Sequence, residues 1–153
     1  MIATQPIALK VKAAKQLQKI YIVEDHTAAR EELAQIINRA GNLTVCGAAG
    51  VDHRVLAAIA STKPDLVLAD VSSAGKQGLA LIKKLRLVNR SFKLLVISTQ
   101  NGALYAAKVL LSGGDGYIMK REDLDEIVYA IQDVMQGHIY ISEEVMERTQ
   151  GSG

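Results

Sequence analysis

The stretch Pro64-Asp65-Leu66-Val67-Leu68-Ala69-Asp70-Val71-Ser72 decides how the rest of the chain is read. A Pro-Asp turn signal leads into an unbroken apolar run, and the run stops at a carboxylate. This is the pattern of a strand buried on both faces of a parallel sheet, delivering one residue, Asp70, to the end of that sheet. In an open α/β sheet the ligand crevice lies outside the carboxyl ends of the strands, so a carboxylate there stands where chemistry is done. A lone Asp after a strand is more often a turn residue. The weight of the reading therefore rests on what the other strand ends carry.

Toward the N-terminus, Ile20-Tyr21-Ile22-Val23 is a β-rich run that ends in Glu24-Asp25, and Ala29, Leu33, Ile36, Ile37 and Ala40 then recur at helical spacing up to a Gly41-Asn42 stop. Leu43 to Ala48 gives a second strand, and Val55, Leu56 and Ile59 a short helix that ends before Pro64. Beyond Asp70 come the loop Ser72 to Gln77, a helix with Leu79, Ile82 and Leu85 inward, and a fourth strand from Phe92 to Ile97 that ends at Ser98. Leu104, Ala107, Leu110 and Leu111 mark a helix that breaks at Gly113-Gly114. Gly116-Tyr117-Ile118-Met119 then forms a fifth strand ending in Lys120. Leu124, Ile127, Val128, Ile131 and Met135 give the clearest amphipathic helix, closed by Gly137.

Five strands alternating with five helices call for an α/β fold, a doubly wound five-stranded parallel sheet with helices on both faces. The pattern does not give the strand order. The flavodoxin-like order 2-1-3-4-5 is the commoner arrangement for five strands.

A chain of 153 residues that is 49% hydrophobic can bury a proper core and suits one domain. With a net charge of +2 and acids and bases interspersed, there is no electrostatic footprint for nucleic acid or a membrane surface. The single cysteine, Cys46, excludes a disulfide framework and suits a reducing cytoplasm. No apolar run approaches the length of a membrane span, so the expectation is a cytoplasmic protein with no membrane partner. Residues 1–18, with Lys10, Lys12 and Lys15 and no acid, are expected to form a poorly ordered or loosely helical arm.

The strand ends carry Glu24, Asp25, Asp70, Ser98 and Lys120. In the 2-1-3-4-5 order strands one, three, four and five end side by side, so these groups are expected to converge. Two carboxylates about 4 Å apart repel by roughly 4 kcal/mol at an effective dielectric near 20, and three together demand a cation. Lys120 is one cation. Carboxylates with a backbone carbonyl, and no need of His or Cys, suit Mg²⁺ as the other. Ser98 and Lys120 can each bond a phosphoryl oxygen, which leaves Asp70 as the nucleophile that accepts the phosphoryl group.

With "VED" at 23 to 25, "PDLVLADVS" at 64 to 72, Ser98-Thr99 and "GGDGYIMK" at 113 to 120, residues 19–137 resemble a response-regulator receiver domain of two-component signalling. The continuation "MQGHIYISEEV" at 135 to 145 resembles the linker of the NarL/FixJ type, whose receivers precede a helix-turn-helix. The resemblance implies that Asp70 accepts a phosphoryl group from a histidine kinase. It implies Asp25 as a direct Mg²⁺ ligand, Glu24 as a ligand through water and the backbone carbonyl of Ser72 as another. Ser98 would turn toward the phosphoryl group, Lys120 would bind it, and Tyr117 would change rotamer with Ser98.

The chain departs from the family pattern at Ala74, Gln77, Thr99 and Arg121, none of which removes a catalytic group. The competing reading is a receiver-like interaction domain that works without phosphate. A small phosphatase or nucleotide-binding enzyme is disfavoured, because no second nucleophile, general-base pair or nucleotide loop is present. His26 is expected to be a solvated loop residue, and His53 and His138 receive no role. Residues 138–153 are expected to be a linker-like tail in which Ile139, Ile141, Val145 and Met146 begin a short helix. A further helix-turn-helix does not fit in what remains, so the chain itself is expected not to bind DNA, which would fall to a missing domain or a partner. Its output is expected to run through protein contacts, including formation of a homodimer, and to regulate transcription.

Overall fold

The computed structural model describes residues 16–88, 90–100, 102–120 and 124–143. The first fifteen residues of the expected arm lie outside that set, as do Arg121, Val145 and Met146. The elements run β1 (Gln18–Val23), α1 (Thr27–Arg39), β2 (Leu43–Ala49), α2 (Val55–Thr62), β3 (Leu66–Asp70), a 3₁₀ turn (Ser72–Gln77), α3 (Gly78–Val88), β4 (Lys93–Ser98), α4 (Ala103–Leu111), β5 (Gly116–Met119), α5 (Asp125–Met135) and β6 (Tyr140–Ile141). All strand pairings are parallel, and the order is β2-β1-β3-β4-β5-β6.

Apolar strands alternate their side chains between two covered faces, which is why β3 shows no polar position before its end. Leu66 and Leu68 join Ile20, Ile22, Leu95, Ile97 and Ile118 beneath α1 and α5. Val67 and Ala69 join Tyr21, Val23, Leu94, Val96 and Tyr117 beneath α2, α3 and α4. The same period of two sets the direction of whatever follows each strand. Glu24, Asp70 and Lys120 continue the rows that face α1 and α5, whereas Ser98 continues a row that faces the other side.

The sheet has six strands where the sequence pattern gives five. β6 pairs with β5 through Gly116↔Tyr140 and Tyr117↔Ile141, so the sheet runs past residue 137. Ile139 and Ile141 therefore do not begin a helix. Two strand residues are too few to show a period, and their hold comes from contacts distant in sequence. The Ser142 hydroxyl accepts from the Met119 N–H at 2.9 Å and donates to Glu126 Oε1 at 2.8 Å. Tyr140 OH donates to the same Glu126 oxygen at 3.0 Å, and Ser142 N–H donates to Tyr117 O at 3.0 Å.

α4 differs from its sequence pattern in another way. It buries Ala106 and Val109, while Leu104 and Leu111, two of the residues that marked it, face solvent. At β2 a close approach fixes one glycine, since a Cβ on Gly47 would fall 2.5 Å from the Tyr21 ring. At the far end of the sheet Arg86 joins α3 to the strand starts, donating to Gly113 O, Phe92 O and Asp115 Oδ2 at 2.9, 2.6 and 2.8 Å.

Ser142 is fully buried. Ser142→Ala strips the Met119 N–H of its acceptor, and the expected loss is about 1–3 kcal/mol in urea unfolding. A loss under about 0.5 kcal/mol, the range of inert surface changes, would show that β6 is not held this way.

Candidate functional site

Asp70 ends β3 almost completely buried, at 4% exposure. Its Oδ2 lies 2.8 Å from Lys120 Nζ, and its Oδ1 accepts the Ser72 N–H at 2.9 Å. Lys120 reaches it because β5 ends two strands away at the same level, where Lys120 N–H donates to Ser98 O at 2.8 Å. Burial alone would raise the Asp70 pKa. Bonds from Glu24, Lys120 and Ser72 outweigh it and hold the carboxyl below its ordinary range. For Lys120 burial acts downward, and the Asp70 bond with the Asp70 and Glu24 charges overcomes it to raise the ammonium pKa.

Glu24 is the second buried carboxyl, 2% exposed. Burial first, then the facing Asp70 carboxylate, pushes it up to about 7, against the pull of the His26 N–H and of Lys120. Its Oε1 accepts the His26 N–H at 3.2 Å and meets the His26 Nδ1 at 3.2 Å. Its Oε2 is buried and has no hydrogen-bond partner other than the facing Asp70 carboxyl among the described residues. With two carboxyls facing each other beside one lysine, a single proton or a further cation must balance the pair.

Asp25 is solvent-exposed and engaged elsewhere. Oδ1 accepts the Val51 N–H at 2.6 Å and Oδ2 accepts the Ser73 hydroxyl at 2.5 Å. The Ser73 bond first and the Val51 bond second hold its carboxyl below the ordinary range. The structure therefore brings Glu24, Asp70 and Lys120 together, while Asp25, in the bend after β1, is bonded by Val51 and Ser73 and does not join them in a three-residue metal-binding group among the described residues.

Ser98 is buried and its Oγ accepts the Gln100 N–H at 3.1 Å. Tyr117 lies fully buried on the same face of the sheet, since β4 pairs with β5 through Val96↔Tyr117. Its ring meets Tyr105 edge to face with centroids 5.8 Å apart, and burial pushes its hydroxyl up to about 12. The Tyr117 hydroxyl and Ser72 Oγ are buried as well, the first facing Ser98 and the second Asp70.

Sequence reasoning missed three holders. His26 faces solvent yet contacts Glu24, Arg30 donates to the Glu24 carbonyl at 2.7 Å, and Ser73 bonds Asp25. His138, to which no role was given, meets Asp133 Oδ1 at 2.8 Å. None of these side chains carries a period or spacing that would announce its partner. Beside Asp70 and Lys120 a cleft of about 270 Å³ opens between α1 and α5, walled by Ala29, Leu33, Leu124 and Ile127.

The facing Glu24 and Asp70 carboxyls, both buried, fit a hard divalent cation such as Mg²⁺. Among the described residues no three acidic, His or Cys side chains gather closely enough to hold a metal ion. The pair fits the ion and Asp25 is not yet part of the set.

Residues 20–132 match the family model described as the response regulator receiver domain. The chain belongs to that family. It is 30% identical over 124 residues to the nitrate/nitrite response regulator protein NarL of Escherichia coli K12, covering 81% of this chain and 57% of that protein. It is 29% identical over 130 residues to the response regulator GacA of Pseudomonas aeruginosa, covering 85% of this chain and 61% of that protein. The chain thus spans about three fifths of the length of these curated relatives. Among solved structures it is similar to a two-component response regulator of the LuxR family from Aurantimonas sp. SI85-9A1, with TM-score 0.78, 25% identity, and coverage of 88% of this chain and 99% of that one. The receiver is a signalling domain of two-component response regulators rather than an enzyme in the usual sense, and its relatives include a protein of Pseudomonas aeruginosa named a transcriptional regulator. Among the described residues no helix is long and apolar enough to cross a membrane.

The Glu24 shift has a sign that stability measurements can check. A carboxyl raised from 4.5 to about 7 binds more protons folded than unfolded in that window, so the metal-free protein loses stability as pH rises through it. In chelator, the urea midpoint is expected to fall between those pH values for the wild type and to stay flat for Glu24→Gln. Parallel curves for the two proteins would place the proton elsewhere.

Proposed function

We propose that this receiver is a phosphorylatable switch whose acceptor is Asp70, charged by a histidine kinase in the cytoplasm. The observation that carries the reading is the Asp70–Lys120 pair, 2.8 Å apart at the buried end of β3. A carboxylate kept ionised and fixed by a lysine is a nucleophile in position, and the same lysine can follow the charge onto a phosphoryl oxygen.

Asp70 attacks phosphorus in line, forming an O–P bond as the N–P bond to the donor's imidazole breaks and the electron pair leaves with that nitrogen. Lys120 then pairs with a phosphoryl oxygen, and the Ser98 hydroxyl turns to donate to another. Asp70, Asp25, the Ser72 carbonyl and, through water, Glu24 would hold Mg²⁺, which would supply charge neutralisation to the phosphoryl group. Rotation of Ser98 leaves room beside Tyr117, whose buried hydroxyl faces it, so the ring answers the state of the acceptor. Hydrolysis of the acyl phosphate by the same groups, slowly, resets the switch.

The output is a change in protein contacts, with self-association the simplest form, serving transcription as in the relative named a transcriptional regulator. DNA binding falls to a domain or partner other than the residues described. A second reading, an interaction domain that works without phosphate, has one observation in its favour, the capture of Asp25 by Val51 and Ser73.

Incubation with acetyl phosphate and Mg²⁺ separates the two. The expected result is an acid-stable, hydroxylamine-labile phosphoryl adduct on the wild type and none on Asp70→Asn, which keeps side-chain volume and fold. Labelling that survives in Asp70→Asn would assign the acceptor elsewhere, and no labelling of folded wild type would favour the phosphate-independent reading. Sedimentation with beryllofluoride is expected to shift wild type toward dimer and to leave Asp70→Asn unmoved. An unchanged wild type would remove self-association as the output, since a ligand shifts an equilibrium only through its differential affinity for the two states.

A further inference from the structure

Both carboxylate oxygens of Asp25 are already hydrogen-bonded, and the two donors come from different loops. Val51 N–H belongs to the loop after β2 and holds Oδ1 at 2.6 Å. Ser73 belongs to the loop after β3, and its hydroxyl holds Oδ2 at 2.5 Å. The first loop closes tightly on the group, since a Cβ on Gly50 would stand 3.0 Å from Oδ1. Asp25 is thus tied across the two loops, while Glu24, its neighbour in sequence, lies buried against the Asp70 carboxyl. Bonds to an ionised acceptor are stronger than neutral ones, so a cation drawing on Asp25 must first compete with its present donors. The Val51 bond is made by backbone and would come with any residue there. The Ser73 bond is made by a side chain and depends on this sequence.

We propose that Ser73 is a positioning residue that holds Asp25 away from the Asp70–Glu24 pair and so sets how tightly the site takes a hard divalent cation. Release of the latch frees Asp25 Oδ2 to turn toward the pair. Retention keeps the site at two carboxyls and a lysine, without the third carboxylate. The inference rests on the reading of Asp70 as a metal-assisted phosphoacceptor, and it adds a residue that the reading does not need.

The test is a titration of the full chain with Mn²⁺, with the free ion followed by electron paramagnetic resonance. Ser73→Ala is expected to bind Mn²⁺ about three- to tenfold more tightly than wild type, the gain of losing one exposed charge-assisted bond that binding must break. Ser73→Thr keeps the hydroxyl and is expected to stay near wild type. Adding Asp25→Asn to Ser73→Ala is expected to remove the gain, which places the effect on Asp25 rather than on general loosening of the loop. The Val51 amide resonance reports that the loop is still folded in each variant. Equal or weaker Mn²⁺ binding by folded Ser73→Ala would overturn the latch while Asp70 still labels with acetyl phosphate. No Mn²⁺ binding by any variant, together with no labelling of Asp70, would overturn the latch and the phosphoacceptor reading together.

Discussion

Burying a carboxylate at the end of a strand is costly unless a cation stands against it, and in this chain the Asp70–Lys120 pair meets that constraint. Asp70 is 4% exposed, and removing its partner would leave an uncompensated charge in the interior. The fold supplies the partner because β3 and β5 both pair with β4, so two residues fifty positions apart end at the same height. Glu24, from β1 on the other side of β3, is buried against the Asp70 carboxyl, and that burial pushes its pKa up to about 7. The site is thus a charge balance struck by three strand ends, open to revision by any phosphoryl group or cation that enters.

The alternation of side chains along each strand explains which groups belong to that balance. Ile20, Ile22 and Glu24 form one row, Leu66, Leu68 and Asp70 the next, and Ile118 and Lys120 a third, all on the side of α1 and α5. Ser98 and Tyr117 lie on the opposite face, beneath α3 and α4, where a change at Asp70 can reach the surface around α4. Lys120 follows β5 directly and Tyr117 lies within it. β6 is bonded to Tyr117 O and, through the Ser142 hydroxyl, to Met119 N–H, so the chain beyond α5 is attached to that same strand.

Much of this was legible in the sequence. The apolar run from Leu66 to Ala69 ending in Asp70 identified a doubly covered strand, and four further runs identified strands at the observed places, because each is long enough to show its character. Glu24, Asp70, Ser98 and Lys120 were legible for the same reason, as polar residues that terminate such runs. What was hidden depended on pairing across distance. β6 has two residues, and its hold on Glu126 joins positions that no period connects. Asp25 was legible as a carboxylate after the first strand, but its present donors were not. The capture of Asp25 by Ser73, 48 residues away, has no signature in spacing.

The ionisation of Asp70 itself can be followed directly, by carbon-13 resonance of its carboxyl through a pH titration of the metal-free protein, in wild type and in Lys120→Met. The account predicts that the wild-type Asp70 signal stays at its ionised position below the ordinary value of 3.8 and that the substitution moves its titration upward. A wild-type Asp70 that titrates at or above its ordinary value, or one that Lys120→Met leaves unmoved, would contradict the claim that this lysine holds the acceptor ready.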